Sequence, residues 1–299
     1  MALTAREEGF LLLTSQLGNP ERKVLTSTQL RELTRRVAAA PRTDGARELE
    51  PGDLAALGYG PEMAMRILSL LGERELMKYY VNQGKKAGCI PVTRVSPGYP
   101  AVLRQRLGGE APGVLWAKGD LSILEEPGIA LVGSRDLRDA NRGFAAEAGR
   151  RAAEQGLVLI SGNARGADLT AQNACLQAGG KVISIVADSL RGHSSRENLL
   201  YLSEDGFDDA FSAQRALSRN RVIHAMGQIT LVAQARLQKG GTWDGASKNL
   251  RFGWSPVFCF DDGSKAALVM EQMGATPVGM KELSDFAALQ KENKSLFDQ

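Results

Sequence analysis

Histidine is nearly absent from this chain, which has only His193 and His224 in 299 residues, and cysteine is sparse, at Cys89, Cys175 and Cys259. With so few imidazoles and scattered thiols, no transition-metal centre is expected. An odd set of distant cysteines, with Cys175 and Cys259 in apolar surroundings, reads as reduced buried thiols of a cytoplasmic protein rather than a disulfide framework. No apolar run approaches the roughly 20 residues a membrane helix needs, and the N-terminus lacks a signal-peptide pattern. Charge of one sign is also lacking: 37 Lys and Arg against 34 Asp and Glu leave a net +3. A polyanionic partner is therefore permitted, but only local clustering of cations could meet it. The sequence has neither a nucleophile–base–orienter set nor a Walker Gly-x-x-x-x-Gly-Lys-Ser/Thr motif, so binding is expected rather than turnover, with no cofactor.

What the chain does have is a rhythm of strand, turn and helix from about residue 128. Strand-like runs fall at Gly128–Gly133, Leu157–Ser161, Lys181–Val186, Thr230–Ala235 and Pro256–Phe260, with helical patterns at 141–155, 167–178, 218–226, 242–252 and 264–273. Short unalternating apolar strands between helices predict a parallel sheet covered on both faces. Right-handed crossovers then gather the C-terminal ends of the strands at one edge.

Before that point the chain reads differently. Residues 1–88 form small helices, with Leu11-Leu12-Leu13 in one and Leu30, Leu33 and Val37 at helical spacing in another. The segment from Leu54 to Ile67, with Gly58-Tyr59-Gly60 at its centre, resembles a helix-hairpin-helix whose turn is one residue short; it is read as a helical cap, with a weak DNA contact as the functional alternative. Residues 89–128 are rich in Pro and Gly, which excludes a long helix and favours short extended pieces. Tyr99, Leu103 and Trp116 there are expected to pack on the domain that follows. The charged tail Leu289–Gln299 is expected to fray.

The turns at the sheet edge hold the candidate binding residues. They are Gly133, Ser134 and Arg135 after the first strand, then Ser161, Gly162, Asn163, Arg165 and Gly166 after the second. Arg219, Asn220 and Arg221 follow at an expected helix start, and Lys239, Gly240, Gly241 and Thr242 come after the fourth strand. Glycine lets a ligand approach the backbone, helix N-termini offer free N–H groups, and Arg supplies a fork suited to phosphate. Together they have the composition of an anion pocket. Asp168 reads as a structural carboxylate at a helix start and His224 as partly buried packing, while Trp243 is left open between core and stacking platform.

In combination these motifs resemble the DNA-processing protein A family (DprA, also called Smf). The matching stretches are Tyr99-Pro100-x-x-Leu103, Pro112-x-Val-Leu-Trp116-x-x-Gly119, Val132-Gly-Ser-Arg135, Ser161-Gly-x-Ala-x-Gly166-x-Asp168, Glu197-Asn198-x-Leu, Arg219-Asn220-Arg221-Val-Ile223, Leu231-Val232-x-x-Ala235 and Gly240-Gly-Thr242. The match runs from about residue 90 to 280 in order. Departures are Gln172 where the family usually has His, Gln234 where an acidic residue is common, and a short connection between Asn198 and Arg219.

The resemblance implies an α/β fold with an extended Rossmann-like sheet over residues 89–285, preceded by a small all-helical domain and followed by a tail at 286–299. It also implies a cytoplasmic, homodimeric, non-enzymatic binder of single-stranded DNA that presents the strand to a RecA-type recombinase. The competing expectation is a nucleotide sensor or phosphoribohydrolase-like enzyme, of the kind built on a Gly-Gly-x-Gly-Thr turn with a nearby Glu. This chain has Gly-Gly-Thr but only Asp244 two residues beyond Thr242, and no Glu at that helix start.

Overall fold

The computed structural model describes residues 3–40, 49–204 and 206–297. Five helices come first: α1 Ala5–Thr14, α2 Ser27–Ala39, α3 Pro51–Ala56, α4 Pro61–Gly72 and α5 Arg74–Lys86. Thr4 with Glu7 and Thr26 with Gln29 form reciprocal capping boxes that start α1 and α2. Leu13, Leu30, Leu33, Leu54, Ile67 and Leu70 close a small core of their own. Val37, expected to continue the stripe, is 55% exposed. The last turn of α2 is fastened instead by Arg36, whose guanidinium donates to the carbonyls of Leu57 and Gly58.

The proline-rich bridge is part of the sheet. It contributes β1 Ile90–Thr93, α6 Ala101–Leu107 and β2 Val114–Lys118, and β1 pairs antiparallel with β2. Tyr99, Leu103 and Trp116 are buried as expected. Trp116 meets Tyr80 of α5 at 5.3 Å between ring centroids and Phe207 at 4.9 Å, so the helical segment and the sheet share one aromatic cluster.

The remaining elements are β3 Gly128–Val132, α7 Asp139–Glu154, β4 Val158–Ser161, α8 Ala167–Gln177, β5 Val182–Val186, β6 Leu199–Glu204, α9 Ala213–Met226, β7 Thr230–Val232, α10 Gly240–Phe252, β8 Val257–Phe260, α11 Lys265–Gln272, β9 Thr276–Val278 and α12 Phe286–Phe297. The nine strands lie in the order β1-β2-β6-β5-β4-β3-β7-β8-β9, parallel from β6 to β9. Apolar side chains from α7 and α8 fill one face and those from α9, α10 and α11 the other, giving two buried layers. Gly149 lets α7 and α8 approach closely, since a Cβ there would collide with the carbonyl of Ala171. The outer strand β9 is three residues long with exposed Pro277 in its middle.

Several expectations need correction. The strands β6 and β9 lie outside the expected set, and α9 begins at Ala213 rather than Ser218, capped by Ser212 accepting from the Arg215 N–H. The tail is a helix as far as Phe297, and Phe286 and Leu289 are buried, because both side chains join the core beneath α7. The last two residues of the tail lie outside the described residues.

Candidate anion-binding site

The chain winds from β3 out to β6 on one side, then returns to β7 on the other side of β3. The neighbouring ends of β3 and β7 are therefore the switch point of a doubly wound sheet, where the two loops part and leave a crevice. The crevice is a cavity of about 500 Å³, lined by Gly133, Ser134 and Arg135 after β3, by Arg219 and Asn220 from α9, and by Lys239, Gly240, Gly241 and Thr242 at the start of α10. A second cavity of about 290 Å³ shares Arg135, Phe211 and Arg219 with it and adds Asn163, Arg165 and Asp188. Most of the candidate residues thus meet on one rim.

Four, Ser161, Gly162, Gly166 and Arg221, do not line it. Ser161 is fully buried, and its hydroxyl accepts from Gln172 Nε2 at 2.7 Å. Gln172 also donates to Ser184 Oγ and to the Gly162 carbonyl, so this departure from the family pattern serves as an internal brace under the turn. Gly162 lies beneath the guanidinium of Arg219, and a Cβ there would strike both Arg219 and the Asp168 carboxylate. Arg221 points away: it pairs with Glu204 at 2.7 Å and lines a different cavity. Residues two apart on a helix face nearly opposite directions, so Arg219 and Arg221 cannot serve one site.

The turn after β4 is closed by protein groups. Asp168 accepts from the Ala164 N–H, and the first amide of α8, that of Ala167, donates to the Ser134 carbonyl at 3.1 Å. Gly166 makes this contact possible at φ +91° and ψ −126°. The start of α10 is different: Lys239 is its N-cap, without a side-chain cap bond, and Gly240 and Gly241 bring the backbone to the cavity. Its first amides therefore face the cavity with the positive end of the helix behind them. Asn220 Nδ2 holds this turn by donating to the Gly241 carbonyl at 3.1 Å. Gln234 ties the two rims together, accepting from the Arg138 N–H and donating to the Asp136 carbonyl.

The cations divide into engaged and free. Arg165 and Arg236 both pair with Asp136, at 3.0 and 2.8 Å. Arg135 and Lys239 are exposed and have no side-chain ion pair among the described residues. Arg219 is buried and donates to the Ile185 carbonyl, while its Nε–H has no partner. A buried donor without a partner is costly, and a ligand oxygen at the cavity wall would satisfy it. Phe211, a lone aromatic that no motif marks, stands 58% exposed at the mouth shared by both cavities. Trp243 packs against the core, and His224 is fully buried, held neutral by a pKa that burial lowers to about 3. Asp244 faces the far side of α10, paired with Lys248 at 2.8 Å.

Burial pushes the Asp168 carboxyl up to about 6, against the opposing pull of Arg219. A folded-state value above the ordinary carboxylate value means that the native protein binds the extra proton, so stability falls as pH rises from about 4 to 6. The cost is on the order of 3 kcal/mol at neutral pH. Asp168→Asn is expected to raise the urea midpoint at pH 7.5, with the gain vanishing by about pH 4. A variant less stable than the parent at pH 7.5 would show that the charge of Asp168 is needed by Arg219.

Strand order and a crevice at the switch point define a Rossmann-like α/β protein. Residues 91–284 match the family model described as DNA recombination-mediator protein A, and the chain belongs to that family. It is 32% identical over 141 residues to DNA processing protein DprA of Streptococcus pneumoniae (strain ATCC BAA-255 / R6), a match spanning 44% of this chain and half the length of that relative. The X-ray structure of DNA processing protein A from Streptococcus pneumoniae superposes with a TM-score of 0.69 at 26% identity, over 93% of this chain and 95% of that one. DNA processing protein A from Helicobacter pylori, studied for its single-stranded DNA binding mode, shares the fold at a TM-score of 0.54 and 22% identity, over 70% of this chain and 96% of that one.

Proposed function

We propose that the chain binds single-stranded DNA, with backbone phosphates held in the cavity between Arg135, Arg219 and the start of α10. The observation that carries this is the pairing of unspent cations, exposed Arg135 and the partnerless Nε–H of buried Arg219, with open amides across one crevice. Arg135 takes one phosphate, and the Gly241 and Thr242 turn takes a second. Phe211 at the mouth offers a face on which a base stacks. Unpaired bases favour a single strand over a duplex at such a site, since a duplex keeps its base faces covered. Presentation of the strand to a RecA-type recombinase and assembly as a homodimer extend this reading on the strength of family membership. A cytoplasmic location is proposed from three buried free thiols, which suit a reducing compartment. Among the described residues no helix is long and apolar enough to cross a membrane.

A free nucleotide is the competing occupant, because a cavity of about 500 Å³ is also of small-ligand size. Fluorescence anisotropy with single- and double-stranded oligonucleotides at two salt concentrations, competed with mononucleotides, separates the two. Preference for the single strand is expected, with log K falling against log salt by about 0.7 per phosphate neutralised. Mononucleotides that displace the probe as well as oligonucleotides do would transfer the site to a small ligand.

A further inference from the structure

On the other side of α10 lies a third cavity, of about 670 Å³, that the anion site does not use. Leu217 and Asn220 of α9 line both it and the crevice described above, so the two hollows are neighbours. Its outer wall is an aromatic pair: Phe252 and Trp254 stack at 5.7 Å between centroids and 21° between planes. Phe252 is 59% exposed. The exposed Arg251 guanidinium lies 5.3 Å from its ring centre, without an ion pair among the described residues.

This wall is built rather than incidental. The αL conformation of Gly253 at φ +65° ends α10 between the two rings, with its N–H donating to the Asn249 carbonyl at 2.7 Å. Asn249 is fully buried, and its side chain accepts from the Ser255 N–H at 2.9 Å and donates to Ser255 Oγ. The chain leaving the helix is thus pinned on both sides of Trp254. A rigid aromatic pair beside a free guanidinium has the chemistry of a stacking platform for unpaired bases.

We propose that the Phe252–Trp254 face is a base-stacking subsite for the stretch of single strand that leaves the anion cavity. The proposal rests on the reading that the cavity holds DNA phosphates. From the amides at Gly241 to Phe252, α10 spans about 17 Å, so only a strand of several nucleotides reaches both ends. Stacking on this face therefore lengthens the bound segment without adding a phosphate contact.

The test is oligonucleotide length. Phe252→Ala is expected to raise Kd for a strand of about 15 nucleotides at least fivefold, and to leave a strand of about 4 nucleotides unchanged. Phe252→Tyr, which keeps a ring, retains parental affinity for both. Tryptophan fluorescence should be quenched by the longer strand more than by the shorter, and the excess should disappear in Trp254→Phe. Unchanged long-strand affinity in Phe252→Ala, or an equal loss for both lengths, overturns the subsite. If Arg135→Glu abolishes binding of both strands in the same experiment, the phosphate site stands without it; if Arg135→Glu binds both normally, the reading beneath both claims falls.

Discussion

Arg135→Glu is expected to weaken single-strand binding by about two orders of magnitude at low salt, with no loss of thermal stability. The side chain is exposed and makes no hydrogen bond or ion pair among the described residues, so its removal disturbs no packing. Reversal removes a cation from a rim where Asp136 already occupies Arg165 and Arg236, and sets a carboxylate against the incoming phosphate. A hydrogen bond to a charged group is worth about 1.5–3 kcal/mol, to which reversal adds repulsion, or roughly tenfold and upward in Kd. The salt dependence should become shallower by about 0.7 in log–log slope, one phosphate's worth. A Kd within twofold of the parent at low salt, measured by anisotropy, would remove Arg135 from the site and leave the cavity without its exposed anchor.

Gly166→Ala is expected to damage both the fold and the site. The backbone there has φ +91° and ψ −126°, a region essentially reserved for glycine, and a Cβ would come within 2.5 Å of the Arg135 carbonyl oxygen and closer still to that of Ser134. Strain of about 1–3 kcal/mol and a clash with backbone on the facing turn together predict a fall in Tm of about 10 °C. Because the clash separates the turn after β3 from the start of α8, Arg135 shifts even in molecules that remain folded. Strand affinity should therefore drop about tenfold below the melting range. A variant with parental Tm would mean that the two turns are not held in contact at this point.

How much of this was legible in the sequence depended on whether the signal was local. Unalternating runs such as Ile129–Val132 and Val182–Val186 stand out because both faces of the sheet are covered, and they were placed within a residue of their observed ends. The run Leu199–Glu204 is as apolar at its start and wholly buried, yet it follows a polar loop and lacks a helix before it, so nothing local marked it as the strand beside β5. Convergence on one rim followed from topology, which is why Arg135, Arg219 and Gly241 could be grouped without coordinates. Engagement by neighbours could not be foreseen. Arg221 is taken by Glu204 and Ser161 by Gln172, pairings that bring together residues 17 and 11 positions apart in sequence. Arg219 and Arg221, two apart within one helix, fall on nearly opposite faces by periodicity alone, a cue the sequence did carry. Phe211 carried only a weak cue, a single aromatic among polar residues, and its place at the mouth depends on the turn that brings it there.

The short outer strand β9 with Pro277 at its centre bears on how copies of the chain can meet. Proline has no N–H, and three residues offer too little backbone for a neighbour to extend the ladder. Proteins crowded along one polynucleotide stand shoulder to shoulder, a setting in which an open sheet margin invites zippering into fibrils. Here that margin is blunted, so a second copy of the chain cannot extend the sheet from β9.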